Sequence, residues 1–152
     1  MNDRNFNRLV TLAFVAFTIA FLFLHTGIAR AQAKPEKSKF TAVVTDSQGV
    51  ETELKHVIFY WEEKINETSF VPHELVYLPV KQGSATINVK FEKIKHVEVK
   101  PGADKGTTAV SITLADGKTK EFTLALDGKL KGETDFGEIE LPAHGIKKVV
   151  FK

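Results

Sequence analysis

Four histidines beyond the N-terminal segment are the residues best suited to metal binding or acid–base chemistry: His56, His73, His96 and His144. Metal sites usually draw their ligands from short local spacings such as His-x-His or His-x-x-x-His. No two of these histidines stand at such a spacing. The chain also has no cysteine, so thiolate ligands, a thiolate nucleophile and disulfides are excluded. The sequence therefore predicts neither a metal site nor a bound cofactor.

Serines and carboxylates give no better indication of an active site. No serine stands in a Gly-x-Ser-x-Gly or Ser-x-x-Lys pattern. Glu62 and Glu63 are adjacent, so in a strand they point to opposite faces, whereas Glu138 and Glu140 share one face. Acid–base catalysis needs a carboxylate sheltered from water, and a row of charges opposite apolar residues is typical of the outer face of a sheet. We expect a protein that is not an enzyme.

The most distinctive segment is VIFYW at residues 57–61, which contains the only tryptophan of the chain. Five consecutive large apolar residues place side chains on both faces of a strand. One face fills the core, and the other is either covered by the segment that follows or meets a partner. Aromatic side chains are enriched at binding surfaces. The residues predicted for a partner surface are Tyr60, Trp61, Phe70 and Tyr77.

The elements that position these residues are predicted to be strands. Residues 85–91 alternate between apolar and polar side chains, which predicts a strand with one buried face, and residues 110–114 repeat the pattern. Asp116-Gly117 is typical of a tight hairpin turn. No segment outside the N-terminal segment shows helical periodicity over ten or more residues. We predict an all-β domain, a small antiparallel barrel or sandwich.

The domain is predicted to consist of two similar halves, residues 40–100 and 108–152. Residues 87–100 align without gaps on residues 139–152, and both end in the pattern Ile-Lys-x-Val-x-apolar-Lys. The halves differ mainly by an insertion from Tyr60 to about Pro79. The sequence leaves open whether they form two small barrels or one sandwich.

The end of the second half also carries a sequence pattern. A DG turn at Asp116-Gly117 is followed by GETDFG at residues 132–137 and then by Leu141-Pro142 leading through Ile146 to Phe151. This ending resembles that of exported bacterial β domains of unassigned function. The resemblance covers about forty C-terminal residues. It implies a small β-barrel or sandwich-like unit and no particular activity.

The N-terminal segment has the features of a secretory signal peptide, predicted over residues 1–33. Arg4 and Arg8 precede a sixteen-residue apolar run at residues 9–24, and overlapping small-x-small patterns end at Ala31 and Ala33. A membrane-spanning helix usually needs about 20 apolar residues, and this run is shorter, which favours a signal peptide. An uncleaved membrane anchor is the alternative. Residues 34–39 (KPEKSK) are predicted to be a linker, and residues 40–152 the β domain.

All three arginines of the chain lie in this leader. The part from Lys34 onward has 18 lysines and 18 acidic residues, so its formal net charge is zero. A neutral domain without arginine is poorly suited to nucleic acid, because arginine supplies the bidentate phosphate and base contacts. We expect an exported, non-enzymatic binding or interaction module, periplasmic or secreted, whose partner is an envelope protein or a small apolar or sugar-like ligand. The alternatives are a small-ligand carrier with an apolar interior and a hydrolase with an unrecognised site.

If the leader is a signal peptide, protein recovered outside the cytoplasm should begin at Lys34, or at Gln32 if cleavage follows Ala31. Mass spectrometry of the intact protein from fractionated cells measures this. A full-length chain that remains soluble in the cytosol, with its first thirty residues folded into the domain, would contradict the signal peptide.

Overall fold

The computed structural model describes residues 37–104 and 106–152, and the predicted leader, residues 1–33, lies outside them. These residues form eleven β-strands and two single-turn 3₁₀ helices, with no α-helix among them. The strands are β1 Ala42–Asp46, β2 Glu51–Lys64, β3 Phe70–Leu75, β4 Tyr77–Gln82, β5 Ala85–Lys90, β6 Ile94–Pro101, β7 Thr108–Leu114, β8 Thr119–Leu124, β9 Lys129–Thr134, β10 Gly137–Pro142 and β11 Ile146–Phe151. The 3₁₀ turns span Phe91–Lys93 and Ala143–Gly145. The prediction of an all-β domain is confirmed.

All strand pairs are antiparallel and belong to one sheet. The pairing order is β10-β9-β2-β1-β11-β6-β7-β8-β4-β5, and β3 joins the outer part of β2. The end strands β10 and β5 do not pair with each other, so the sheet is not closed. Leu130 on β9 and Leu78 on β4, near opposite ends of this order, line one apolar cavity with the central Val97 and Val149. The sheet is therefore curled around a single core.

The predicted duplication is visible in the element boundaries. β5, the turn Phe91–Lys93 and the start of β6 recur in β10, the turn Ala143–Gly145 and the start of β11. The offset is 52 residues throughout, the same as in the gapless sequence alignment. The pairing order is also symmetric about its centre, because β1, β2, β9, β10 and β11 occupy positions equivalent to those of β7, β8, β4, β5 and β6.

A pseudo-two-fold axis passes between β6 and β11. Val97 pairs directly with Val149, its equivalent in the other half, and both side chains are buried. The strands on each side of this pair then repeat in the same order. The strand β3 has no counterpart in the second half and lies in the predicted insertion, which confirms that the halves differ there.

Strand β2 is bent where it leaves β1 and begins to pair with β9. The register shifts between Lys55 and Ile58, and His56 adopts φ 56°, a left-handed conformation in which histidine is enriched among non-glycine residues. The Nδ1 atom of His56 lies 2.6 Å from the carbonyl oxygen of Ser38. A carbonyl only accepts, so Nδ1 carries the proton and donates. The Ser38 hydroxyl donates to the carbonyl oxygen of Val57 at 2.7 Å, which ties residues 38–40 to the bend.

Residues 85–91 and 110–114, the two segments in which apolar and polar side chains alternate, differ in how well their apolar faces are covered. In β7, Val110 and Ile112 are buried as predicted, and Gly117 takes φ 87° in the turn to β8. Over residues 85–91 the predicted buried face is wrong for Ala85, which is exposed, and for Ile87, which is 37% exposed, whereas Val89 packs on the core and Phe91, just after β5, is buried. The physical reason is position, since β5 ends the sheet and has a neighbour on one side only.

Strand β9 lies very close to β2 because glycines stand at their contact. A Cβ atom on Gly128 would lie 2.8 Å from the carbonyl oxygen of Tyr60 and would overlap the ring of Phe59. Gly132 faces the bend, where a Cβ atom would lie 2.9 Å from that of Leu54. Real Cβ atoms do not approach backbone this closely, so side chains at these positions would push the strands apart.

We predict that Gly128→Ala lowers the free energy of unfolding by about 1–3 kcal/mol, the usual range for overpacking a filled core. Gly145→Ala is the matched control, because a Cβ atom there meets nothing within 4 Å and the residue does not have a positive φ. The control should change stability by less than about 0.5 kcal/mol. Urea denaturation of both variants measures the difference, and equal stabilities would contradict the close approach of β9 to β2.

Candidate functional site

The outer part of β2, the following turn and β3 form a two-stranded hairpin, residues 62–75, that we call the hairpin arm. In β2, Val57 and Phe59 are buried, whereas every residue from Glu62 to Lys64 is exposed. The turn is closed by the Ile65 N–H, which donates to the Ser69 carbonyl at 3.0 Å, and by Asn66, whose side chain accepts from the Thr68 N–H. The arm therefore extends beyond the core and is held by its own ladder.

Large apolar side chains are exposed at the end of the arm. Ile65 is 58% exposed, Phe70 54% and Val71 42%. Phe70 pairs with Lys64 and Val71 with Glu63, so the two side chains lie on opposite faces of the arm next to the turn that carries Ile65. Exposed apolar residues that are grouped in this way mark interaction surfaces more often than isolated ones do.

Trp61 lies at the base of the arm on the core-facing side of β2. It packs against the hydrophobic core and stacks on His73, its cross-strand partner, with ring centroids 4.7 Å apart and planes at 12°. The Nε2 atom of His73 is 3.0 Å from Glu63 Oε2. This group joins the arm to the core, and Trp61 is partly buried within it.

Tyr60 lies on the opposite, outer face of β2. The Lys131 ammonium lies 3.5 Å from the centroid of its ring, and the phenol donates a 2.7 Å hydrogen bond to Glu62 Oε1. The hydrogen bond to Glu62, followed by desolvation and the charges of Glu62, Glu140 and Glu74, raises the pKa of Tyr60 to about 12. A carboxylate that accepts from the phenol favours its protonated form.

An ion-pair network continues this outer face across β9 and β10. Glu140 lies 3.0 Å from Lys129 and 2.5 Å from Lys131. These lysines lower the pKa of the Glu140 carboxyl, and Glu140 raises the pKa of Lys129, in both cases mainly through the hydrogen bond between them. The face beside Tyr60 is thus covered by charged side chains of β9 and β10.

The four residues predicted for a partner surface do not form one patch. Tyr60 and Phe70 share the outer face of the β2–β3 ladder, because they pair with Glu74 and Lys64, respectively. Trp61 is on the other face, and Tyr77 begins β4, where it pairs with Lys90. Adjacent strand residues point to opposite faces, and this separates Tyr60 from Trp61.

The structure also shows what lies over the outer face of residues 57–61. The insertion does not pack over this face, because β3 pairs edge to edge with β2 and extends the sheet instead. The Lys131 ammonium covers the ring of Tyr60. The surface predicted from the sequence does not include Ile65 and Val71. Their signal is the apolar residues on both sides of the polar turn segment NETS at residues 66–69, with Ile65 before it and Phe70-Val71 after it.

The four histidines considered as metal ligands or acid–base groups lie on different elements of the described part of the chain. His56 lies at the bend of β2, His73 in the arm, His96 on β6 and His144 in the second 3₁₀ turn. Among residues 37–104 and 106–152, no group of three or more histidine, aspartate or glutamate residues is arranged to hold a metal ion. In the same residues, no helix has the length and apolar character that crossing a bilayer requires.

A cavity in the apolar interior bears on the ligand-carrier alternative. Its volume is about 30 Å³, and its walls are entirely apolar side chains such as Phe59, Leu124 and Phe151. Small-molecule pockets are usually about 300–1,000 Å³, and about 10–15 Å³ holds one water. The space in this cavity is thus of the order of two water molecules and provides no support for a carrier of apolar or sugar-like molecules.

Comparison with family models gives a match to residues 36–152, described as an uncharacterised protein. The chain belongs to this family. The match covers the whole described sheet and both halves of the duplication. Neither the curated proteins nor the solved structures contain a match. The family therefore agrees with a resemblance to domains of unassigned function and names no activity.

We predict that Tyr60 ionises near pH 12, above the ordinary value of 10.0 for tyrosine. Because the folded pKa is the higher one, this group stabilises the fold below about pH 10, and its contribution is lost as the pH rises through about 12. Absorbance titration of the phenolate measures the pKa of both tyrosines in the chain. Tyr60→Phe should remove the phase near pH 12, and Glu62→Gln should shift it towards 10.

Tyr77→Phe is the matched control and should leave the phase near pH 12 in place. Circular dichroism over the same pH range shows whether the protein remains folded. A folded wild-type protein that has no phase above the ordinary tyrosine range would contradict the hydrogen bond to Glu62.

Proposed function

We propose that the chain is an exported, non-enzymatic β domain that acts as a binding or interaction module in the cell envelope, with the end of the hairpin arm as its partner surface. The observation that carries this proposal is the exposure of Ile65, Phe70 and Val71 on a hairpin that extends beyond the core. Export rests on the leader predicted for residues 1–33. From this leader we infer that the domain lies in the periplasm or outside the cell.

The size of the exposed apolar surface supports a contribution to binding. Burying a fully exposed large apolar side chain contributes about 1.5–3 kcal/mol. Each of the three arm residues is about half exposed, so each contributes about 1 kcal/mol when a partner covers it. Together they contribute about 3 kcal/mol, which corresponds to roughly 100-fold in affinity.

The charges of the arm indicate the chemistry of the partner. Residues 62–75 contain four glutamates and one lysine, so the apolar end is surrounded by negative charge. An anionic lipid surface would repel such an arm. An envelope protein with an apolar pocket and a basic rim is complementary to it in both shape and charge.

The placement of His73 and Glu63 favours binding over catalysis. Their side chains are 33% and 50% exposed, and the imidazole stacks on Trp61. A catalytic base needs shelter from water and free space for a substrate beside it. Here the ring face is occupied by the indole, and the Nε2 atom by the carboxylate. These contacts support a structural role at the base of the arm.

We predict that the triple variant Ile65→Thr, Phe70→Thr, Val71→Thr loses partner binding by about 100-fold while keeping the stability of the wild type. Threonine is β-branched and is favoured in strands, and the three side chains contribute little to the core because they are exposed. The partner is first captured from envelope extracts with the wild-type protein, and its affinity for both proteins is then measured by titration calorimetry.

Phe136→Thr is the matched control, because Phe136 is fully exposed in the β9–β10 turn at the other end of β2, next to the Lys55–Asp135 ion pair. It should bind the partner as the wild type does. Equal affinity of the wild type and the arm variant would contradict the proposed surface. Trp61→Ala is unsuitable for this test, because Trp61 packs on the core.

A further inference from the structure

The two end strands of the sheet, β5 and β10, occupy equivalent positions in the duplicated halves and differ in their outer edges. Within the described residues each pairs with one neighbour only, β5 with β4 and β10 with β9. An end strand exposes backbone N–H and C=O groups that can pair with another chain, and proteins usually protect such edges with charges or proline.

The turn before β5 determines which of its backbone groups face outward. Gln82 and Ala85 flank the two-residue turn Gly83-Ser84 and form a hydrogen-bonded pair, so Ala85, Ile87 and Val89 bond to β4. The Phe91 N–H donates to the Val76 carbonyl at 3.1 Å, which continues the same alternation. The N–H and C=O groups of the intervening residues point to the open edge; these residues are Thr86, Asn88 and Lys90.

The outer edge of β10 is protected. Its residues equivalent to Thr86, Asn88 and Lys90 are Glu138, Glu140 and Pro142, each 52 positions further on. Two outward positions therefore carry a carboxylate, and the third has no N–H to donate. A second strand that approached β10 would meet both obstacles.

The edge of β5 has neither obstacle. All three outward residues have an N–H, and only Lys90, at the end of the strand, is charged. The side chains on the core-facing side are apolar and incompletely covered, with Ile87 37% exposed. Strand β3, which pairs only with β2, has Pro72 in its centre. Compared with the edges of β10 and β3, the edge of β5 is thus the one best suited to accept another strand.

We propose that β5 is a dimerisation edge, where it pairs antiparallel with β5 of a second copy of this chain about a two-fold axis at Asn88. In this register Asn88 faces Asn88 of the second copy in a hydrogen-bonded pair. Thr86 faces Lys90 of the second copy, and Ile87 faces its Val89 in a close, non-hydrogen-bonded pair. The sheets of the two copies become one continuous sheet.

The second copy is favoured as the occupant because the edge is complementary to itself. Ile87 and Val89 meet twice across the axis, so the apolar stripe of each copy is covered by the stripe of the other. No two like charges face each other, since Lys90 meets threonine and Glu92 meets Ser84. The outward N–H and C=O groups of Thr86, Asn88 and Lys90 are all paired in this register.

Cysteine cross-linking tests the register directly, because the natural chain contains no cysteine. In protein purified after expression of the full chain, Asn88→Cys places two thiols opposite each other, at a Cα separation of about 5.5 Å that a disulfide can bridge. Glu140→Cys is the control at the equivalent position of β10. We expect air oxidation to give a covalent dimer for Asn88→Cys and a monomer for Glu140→Cys.

Transferring the protection of β10 to β5 tests the same edge without a cross-link. The variant Thr86→Glu, Asn88→Glu reproduces the carboxylates of Glu138 and Glu140 and places like charges opposite each other at the axis. Sedimentation velocity should show a dimer for the wild type and at least about tenfold weaker dimerisation for this variant. Gln48→Glu, in the β1–β2 turn, should dimerise as the wild type does.

The outcomes separate the alternatives. A wild-type protein that stays monomeric at all accessible concentrations, or equal cross-linking of both cysteine variants, overturns the proposal. A dimer that survives the double glutamate substitution overturns it as well. The arm variant with Ile65, Phe70 and Val71 replaced by threonine should dimerise normally, so the failure of one proposed surface is distinguishable from the failure of the other.

Discussion

Where β6 meets β11, the equivalent valines of the two halves pair backbone to backbone and bury their side chains in the same core. This ladder lies on the pseudo-two-fold axis, and it is one of five ladders that pair a strand of one half with a strand of the other. On either side of this ladder, equivalent strands of the duplication follow one another in the same order. Without disulfides, the domain depends on this pairing and on the apolar face that the curled sheet encloses.

Duplication also explains where the two halves were free to differ. The central strands contribute to one shared core, so changes there must fit neighbours on both sides. The end strands and the insertion have fewer neighbours. Strand β10 carries glutamates and a proline where β5 carries threonine, asparagine and lysine, and the first half alone has the hairpin arm. Both proposed surfaces lie at these asymmetric, peripheral positions.

The hairpin arm requires anchoring, because a two-stranded hairpin has little stability of its own. The stack of Trp61 on His73, the hydrogen bond between His73 and Glu63 and the packing of Trp61 on the core supply it. On the outer face, Lys131 covers Tyr60. Two of the aromatic residues that suggest a binding surface in the sequence, Tyr60 and Trp61, thus hold the arm in place, whereas Phe70 lies at its exposed end with Ile65 and Val71.

The all-β class, the hairpin at Asp116-Gly117 and the 52-residue duplication were determined by the sequence alone. Alternation, turn residues and repeated spacing are local properties, and each limits the backbone independently of the rest of the chain. Only the tertiary structure decided that Ile87 is exposed, that Tyr60 and Phe70 lie apart from Trp61 and Tyr77, and which strand edges are open. Exposure depends on neighbours that are distant in the chain, and no local pattern records which strand ends a sheet.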